Sequence, residues 1–405
     1  MGWPFILIAA TLLQAQSPQQ EGIKALEERR YQEAVAAFAK VVAADPKDYG
    51  AQFHLALSLS LLGDNDQAIA AYRKVLELKP DLYEAELNLG ILLIEKKDYT
   101  AAAGLLRSAA AKKPDQPRPR LYLGEVRLAT GELQDAKADF EAVLERDPNL
   151  AAAEAGLGQA LIRMKMPEEA ESHLGKAAAL DPAYKNLLLE LASAYEQAKQ
   201  PDRALAIYEG FGGNAAVEER AGILLLESGR NEEAAARLEA VVKSSPTAAN
   251  RYALATAYLR MKQLDKASAM LEQAVVAEPQ NLDLRMAYGR SLRDQRKFGA
   301  AAQQFIQVVQ AKPDYKEAWS ELASALLLNE NFPQALAAFD RLEALGETGP
   351  ALHYFRAITL DRLKQVKPAL DSYAKFLSLS EGKFPDEEFK ARQRVKVLQK
   401  ELNRR

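Results

Sequence analysis

Apolar residues recur along most of the chain at the spacing of amphipathic helices. Leu55, Leu59 and Leu62 form one apolar stripe, and a second stripe begins at Ala68 after the polar joint at residues 63–66. Apolar positions at i, i+3, i+4 and i+7 place these side chains on one face of an α-helix. The pattern therefore predicts pairs of helices separated by short polar turns.

The paired stripes repeat with a period of 34 residues, which alanine marks most clearly. Two shorter steps interrupt the period near the middle of the chain, and it then resumes. A fixed period in this range is typical of a stacked array, in which each unit buries its apolar face against its neighbours. The sequence predicts eleven such units, whose marker residues are Ala34, Ala68, Ala102, Ala136, Ala170, Ala204, Ala234, Ala267, Ala301, Ala335 and Ala369.

Three further positions keep the same register when the marker alanine is numbered 20 in each unit. Position 8 holds only Gly or Ala, position 24 is always large and apolar, and position 32 is proline in eight units. We expect the small residues where two helix backbones cross closely and the large ones between packed helices. The prolines are expected to end the second helix, because the residue before proline disfavours helical geometry. Asp45, Asp147 and Asp181 accordingly mark exits from helices.

This pattern resembles the tetratricopeptide repeat family, whose small residue at 8, Ala at 20, aromatic residue at 24 and Pro at 32 are matched through residues 15–383. The resemblance implies an all-α fold, an α-solenoid coiled as a right-handed superhelix of about eleven helix-turn-helix repeats. It also implies that the first helix of each repeat lines a concave groove. A shared fold implies much less about function.

One defect in the register divides the predicted array. The step from Ala204 to Ala234 is 30 residues, so the second helix of the sixth repeat must be truncated, and glycines cluster at residues 210–214. A tolerated deletion and a joint between half-arrays both fit, since consecutive glycines allow unusual backbone conformations. We predict repeats 1 to 6 within residues 16–214 and repeats 7 to 11 within residues 215–383. Residues 384–405 are read as a capping helix, with a basic helix for a membrane or partner as the alternative.

The amino-terminal residues resemble a secretory signal peptide. The uncharged run from Trp3 to Leu13 is too short to span a bilayer comfortably, and Ala15 offers a cleavage site. Residues 1–15 are therefore expected to be removed, which makes the chain an exported, periplasmic or extracellular bacterial protein without an integral membrane span. Because no Lys or Arg precedes the run, an uncleaved anchor or a misassigned start stays open, and the latter would leave the protein cytoplasmic.

Composition and motifs point away from catalysis. Hydrophobic residues make up 48% of the chain, the net charge is only −3, and there is no cysteine to form a disulfide or accept a lipid. His54, His173 and His353 are far apart and lack a second ligand at i+3 or i+4. The glycines near residue 212 have no lysine as in a phosphate loop. We predict no enzyme, no metal or other cofactor, and no nucleic-acid partner.

Binding residues are predicted from the family's inward-facing positions 2, 5, 6, 9 and 12 of the first helix. We expect a protein partner to contact an early apolar groove and a later, mixed one. These candidates are Phe53, Leu57, Leu87, Asn88, Ile91, Leu121, Tyr122, Glu125, Tyr252, Arg290, Arg293 and Tyr354.

Two more specific kinds of partner can be compared with this general prediction. Family members that bind chaperone tails hold a terminal carboxylate with Lys and Asn where this chain has Phe53 and Leu57, so such recognition is not expected. A carbohydrate-binding or polysaccharide-guiding module is the alternative, and it would use Tyr122, Tyr252 and Tyr354. The leading prediction is a non-enzymatic scaffold that serves envelope assembly, secretion or polymer export.

Overall fold

A computed structural model describes residues 17–403, and these residues contain helices and no β-strand. Eleven helix pairs follow one another and a single long helix closes the series, which confirms the predicted all-α solenoid of helical hairpins. The chain divides between Ile207 and Tyr208 into two compact units.

The first unit holds the first six helix pairs. A short 3₁₀ helix at Pro182–Asn186 precedes the eleventh helix, and the division between the units falls within the twelfth. The helices are α1 Pro18–Glu27, α2 Tyr31–Ala44, α3 Tyr49–Leu62, α4 Asn65–Leu78, α5 Tyr83–Glu95, α6 Tyr99–Lys112, α7 Pro117–Thr130, α8 Leu133–Leu144, α9 Ala151–Arg163, α10 Pro167–Leu180, α11 Leu187–Gln197 and α12 Pro201–Glu209.

The second unit holds five complete pairs and the closing helix. Its helices are α13 Ala215–Glu227, α14 Asn231–Ser244, α15 Ala248–Arg260, α16 Leu264–Ala277, α17 Leu282–Asp294, α18 Phe298–Ala311, α19 Lys316–Leu328, α20 Phe332–Ala344, α21 Pro350–Arg362, α22 Val366–Ser380 and α23 Pro385–Asn403.

The repeated small residues occupy the tightest points of the helix pairs. All eleven marker alanines at position 20 are fully buried. At position 8, a Cβ added to Gly90 would lie 2.8 Å from the Leu106 side chain, and one added to Gly289 would lie 2.5 Å from the Phe305 ring. The nearest obstacle at these glycines is thus the position-24 side chain, whereas the sequence led us to expect the opposite backbone. Small residues at position 8 make room for the large residue that fills each hairpin.

Every hairpin turns through a residue in the left-handed backbone region at position 15. Gly63, Gly131 and Gly229 supply it in three repeats, with φ between 77° and 88°. The other eight repeats place a residue with a side chain there, at φ from 56° to 62°, and these are Arg29, Lys97, Lys165, Lys199, Lys262, Arg296, Glu330 and Lys364. Glycine is the residue that adopts this region without steric cost, so the eight turns are locally strained.

The second helix of the sixth repeat is short. α12 has 9 residues, whereas the equivalent α10 of the fifth repeat has 14. Three glycines lie between α12 and the next helix, and one of them, Gly213, has a φ of 87°. The second helix of the sixth repeat therefore ends about one turn early, and residues 210–214 form the connection.

The closing helix α23 caps the last repeat, as the sequence predicts. Its Ala391 and Leu398 are buried in the same cluster as Leu360 and Phe376. Arg394 adds two hydrogen bonds to the Asp361 carboxylate, at 2.6 and 2.8 Å. An array needs such an end, because the last repeat would otherwise expose the face that each earlier repeat buries against its successor.

Candidate functional site

In the first unit, the predicted groove residues Phe53 and Asn88 both contact Tyr72 on α4, the second helix of the second repeat. The Phe53 ring meets the ring of Tyr72 edge-on at 5.7 Å. The Asn88 side-chain amide donates to the Tyr72 hydroxyl over 3.1 Å. Burial raises the pKa of Tyr72 to about 12 despite this bond. Part of the surface of Phe53 and Asn88 therefore supports packing between α3, α4 and α5.

The aliphatic candidates of the first unit differ in accessibility. Leu87 and Leu121 are buried, Leu87 within a hydrophobic cluster of this unit that runs from Ala56 to Val126. Leu57 and Ile91 stay partly exposed, and Ile91 packs against that same cluster. A partner can reach Leu57 and Ile91, whereas Leu87 and Leu121 contribute to the core that positions them.

Tyr122 and Glu125 on α7 are half-buried and lie near the 3₁₀ helix. Burial raises the pKa of the Glu125 carboxyl. It also raises the pKa of Tyr184 in the 3₁₀ helix, and the charges of Asp181 and Glu125 raise it further. The 3₁₀ helix therefore places Tyr184 near enough to Glu125 and Tyr122 for their charges to affect its pKa.

In the second unit, Arg290 and Arg293 on α17 are paired with acids on α19. Arg290 donates to Glu321 through Nε over 2.9 Å and also bonds Glu317. Arg293 bonds the other oxygen of Glu321 and contacts Asp294 at 3.1 Å. The predicted positive groove positions are therefore largely neutralised by a network that links the first helices of consecutive repeats.

The two tyrosine candidates of the second unit also differ. Tyr252 is 45% exposed, whereas the Tyr354 ring lies 4.8 Å from that of Phe376 and 5.5 Å from that of Phe355. Burial and the nearby Glu387 raise the pKa of Tyr354. A sugar-binding platform needs free ring faces, and Tyr252 is the most exposed of the three tyrosine candidates, since Tyr122 and Tyr354 are half-buried.

A concavity of the second unit lies between α19 and α21 and has a volume of about 630 Å³. Buried Phe339 and Leu342 of α20 form part of its wall. Leu328 is 50% exposed and Phe355 is 44% exposed at its edge. Its size falls in the range of pockets that hold a small ligand or an anchoring side chain.

None of the residues that line the cavity is among the binding residues predicted from the sequence. The predicted residue Tyr354 is adjacent in sequence to the lining residue Phe355. Ser320, Ser324 and Leu327 occupy positions 5, 9 and 12 of the tenth repeat, and Phe355 occupies position 6 of the eleventh. The positional rule therefore selects them, although two serines give no sign of a binding surface. Leu328, at position 13, lies outside the rule.

Structural roles account for the three histidines. His54 Nδ1 lies 2.9 Å from the Gly50 carbonyl oxygen, and its ring stacks on Phe38. His173 Nδ1 lies 2.6 Å from the Glu154 carboxylate. His353 is buried, and burial followed by the charge of Lys375 lowers its pKa. Within residues 17–403, no three His, Asp or Glu side chains come together as a set that could hold a metal ion.

Stacked helical hairpins, side-chain-lined faces and a preformed apolar cavity define a helical-repeat binding protein. Family models described as tetratricopeptide repeat match residues 20–117 and 286–351, and others with the same description match residues 127–221 and 225–290. The chain belongs to the tetratricopeptide repeat family. Proteins of this family are generally non-enzymatic scaffolds that bind protein partners.

Several solved structures of MamA proteins share part of this fold. One MamA crystal structure is 24% identical, covers 41% of this chain and 90% of its own, and has a TM-score of 0.39. A MamA from Desulfovibrio magneticus RS-1 is 22% identical, covers 41% of this chain and 94% of its own, and also has a TM-score of 0.39. No curated protein gives a significant match. Within the described part of the chain, no helix has both the length and the apolar character needed to cross a bilayer.

Proposed function

We propose that this protein is a scaffold that binds an extended peptide or a helix of a partner protein, with one apolar partner side chain seated between α19 and α21. The cavity there carries the proposal, because it is already open and two large apolar residues, Leu328 and Phe355, remain exposed at its edge. Covering them would remove apolar surface from water at about 25 cal/mol per Å².

The chemistry of the cavity defines what its occupant should look like. Leu327, Leu352 and Phe355 supply apolar walls, while Lys316 and Glu347 supply opposite charges among the lining residues. Such a site suits a Leu, Met or Phe side chain on a segment whose backbone and flanking groups stay polar. The apolar wall formed by Leu327, Leu352 and Phe355 supports a protein partner over the polysaccharide alternative.

Site-specific photocrosslinking in the native cell tests this proposal. A photoreactive phenylalanine analogue placed at Leu328 or Phe355 should crosslink the same partner segment, and mass spectrometry should find an apolar anchor in it. The matched control is Val276 on α16, which is 74% exposed and lies outside the cavity. Equal crosslinking from Val276, or no protein product from either cavity position, would contradict the proposal.

A cavity-filling substitution provides an independent check. Ser324→Trp places an indole in the space that the partner side chain is proposed to occupy, and it should weaken partner binding at least tenfold. Circular dichroism should show unchanged helix content, because Ser324 faces the cavity and not the core. Unimpaired binding by the folded variant would place the partner elsewhere.

We also propose export to the bacterial envelope, where the scaffold would serve assembly, secretion or polymer export. The apolar run from Trp3 to Leu13 supports this, and it lies outside the described residues. Cell fractionation combined with amino-terminal sequencing of the purified protein should find a mature chain that begins after Ala15. A cytoplasmic, uncleaved protein would contradict export but would leave the cavity proposal intact.

A further inference from the structure

The closing helix α23 has an outward face that the capping role does not use. Phe389 is 64% exposed and Val397 is also exposed, although Ala391 and Leu398 on the opposite face are buried. Residues 389, 396, 397 and 400 share one side of the helix, since positions separated by seven, eight and eleven residues recur on the same face. The outward face of α23 is defined here as Phe389, Lys390, Lys396, Val397 and Lys400.

The charge of this face is strongly one-sided. From Phe389 to Lys400 the helix contains five basic residues and no acidic one. Arg392 is paired with Glu388 at 2.9 Å, and Arg394 is paired with Asp361. Among residues 17–403, no carboxylate lies within ion-pair distance of Lys390, Lys396 or Lys400. The three lysine ammonium groups are therefore available to an external partner.

The acidic residues of α23 lie towards its two ends, with Asp386, Glu387 and Glu388 before Phe389 and Glu401 after Lys400. Asp386, Glu387 and Glu388 occupy the first turn, where the helix dipole favours negative charge. The Glu388 carboxylate is buried and accepts a hydrogen bond from the Gly382 backbone amide over 2.7 Å. The hydrogen bond with Ser380 is the main cause that lowers the pKa of Glu388. Glu388 thus secures the start of α23 and leaves the lysines unpaired.

We propose that the outward face of α23 binds an anionic lipid bilayer, with the Phe389 ring inserted among the headgroups and Lys390, Lys396 and Lys400 in contact with lipid phosphates. Basic helices with exposed aromatic residues bind in the plane of such a surface. Lysine stems are long enough to keep the ammonium groups at the phosphate level while the ring enters the apolar layer.

The composition of the face favours lipid over an acidic protein. Protein interfaces are enriched in arginine and depleted in lysine. On α23 both arginines are held by intramolecular ion pairs, and the groups left outward are lysines. Since the whole chain carries a net charge of −3, unspecific attraction to an anionic surface is not expected. Binding would have to come from a local basic face.

Vesicle cosedimentation of the purified full chain tests the proposal. The wild-type protein should sediment with vesicles of phosphatidylglycerol and phosphatidylcholine, should not sediment with pure phosphatidylcholine vesicles, and should dissociate in high salt. Neutralising all three lysines as Lys390→Gln, Lys396→Gln and Lys400→Gln should weaken partitioning about 100-fold, at about fivefold per lysine. Phe389→Ser should weaken it about tenfold or more without changing the salt dependence.

A charge-matched control separates a local face from net charge. Lys243, Lys262 and Lys367 are exposed on other parts of the second unit, and changing all three to Gln alters the net charge equally. This control variant should bind the anionic vesicles as wild type does. In Phe389→Trp, the added indole emission should shift to the blue only with anionic vesicles.

Three results would overturn the proposal. They are failure of the wild-type chain to bind anionic vesicles, equal loss of binding in the control variant, and retention of binding by the α23 triple variant. Binding to immobilised polyglutamate without vesicle binding would also overturn it, in favour of an acidic protein. Circular dichroism of every variant checks that the helices are intact.

Discussion

At the residue scale, some polar side chains at predicted groove positions form hydrogen bonds with the next repeat. Glu321 illustrates this, because its carboxylate accepts from both Arg290 and Arg293 and its side chain is only 15% exposed. A carboxylate in this position satisfies two guanidinium groups of the preceding repeat. Removing its charge would leave the partly buried guanidinium groups of Arg290 and Arg293 without this counter-charge.

We therefore expect Glu321→Gln to lower the free energy of unfolding by about 2 kcal/mol. Urea unfolding followed by circular dichroism measures the change. Glu317→Gln is the matched control, since Glu317 pairs with one arginine, Arg290, accepts a long hydrogen bond of 3.4 Å from the Tyr315 hydroxyl and is more exposed, so its loss should stay below about 0.5 kcal/mol. Similar losses in the two variants would show that the Glu321 network contributes little.

Neutralising Glu125 should stabilise the protein, whereas neutralising Glu321 should destabilise it, and the effect at Glu125 should depend on pH. Burial raises the pKa of its carboxyl, so the folded state binds a proton more readily than the unfolded state does. The resulting penalty is absent below the unfolded pKa, grows as the pH rises, and is complete above the folded pKa. Glu125→Gln should thus stabilise the protein at pH 7 and have little effect near pH 4.

Thermal unfolding at both pH values measures this difference. Glu84→Gln serves as a control, because the hydrogen bond with Lys113 is the main cause that lowers the pKa of the Glu84 carboxyl. Its removal should destabilise the protein slightly at pH 7. A stabilisation by Glu125→Gln that is equal at pH 4 and pH 7 would mean that its charge is not the cause.

The sequence predicts the core residues of each repeat better than it predicts the candidate site. Alanine at position 20 and the large residue at position 24 recur because every hairpin requires them, so their burial is readable from the period. Leu87 and Arg290 have no such signal. The exposure of Leu87 depends on how closely neighbouring helices approach, and the charge of Arg290 is cancelled by acids 27 and 31 residues away in sequence.

At the element scale, the hairpin turns differ between repeats in the residue at position 15, although the backbone conformation there is the same. All eleven turns need a left-handed residue at position 15, yet only three have glycine there. Glycine lacks the Cβ that clashes in this region, although it also loses more backbone entropy on folding. The steric cost is the larger effect at a position where the backbone is fixed by helices on both sides.

Exchanging residues at position 15 tests this account. Lys97→Gly should stabilise the protein by about 0.5 to 1 kcal/mol, and Gly131→Lys should destabilise it by about 1 kcal/mol. Both positions join the two helices of a repeat and have φ of 60° and 86°, so they form a matched pair. Urea unfolding measures both. A destabilising Lys97→Gly would show that backbone entropy outweighs steric strain at these turns.

At the scale of the whole molecule, the shortened α12 marks where the array divides. Each unit contains hydrophobic clusters of its own, and the division falls a few residues before the glycines at 210–214. The sequence shows this place only as a missing turn and a lost proline. It does not show how contacts are distributed on either side, because that depends on packing and not on the period.

If each unit holds its own core, the chain should tolerate separation after Glu209. A fragment that ends at Glu209 and one that begins at Gly210 should each be helical and unfold cooperatively on heating, because nearest-neighbour contacts carry the stability of a repeat array.

A split between Gly131 and Glu132 is the control. It leaves α8 without α7, whose Gly124 makes room for the Phe140 ring in the intact hairpin. The carboxyl-terminal control fragment should therefore expose Phe140, bind a hydrophobic dye and lose the helicity of α8, as circular dichroism and dye fluorescence would report. Equal behaviour of the two pairs of fragments would mean that the array has no preferred division, and that the shortened α12 is only a tolerated deletion.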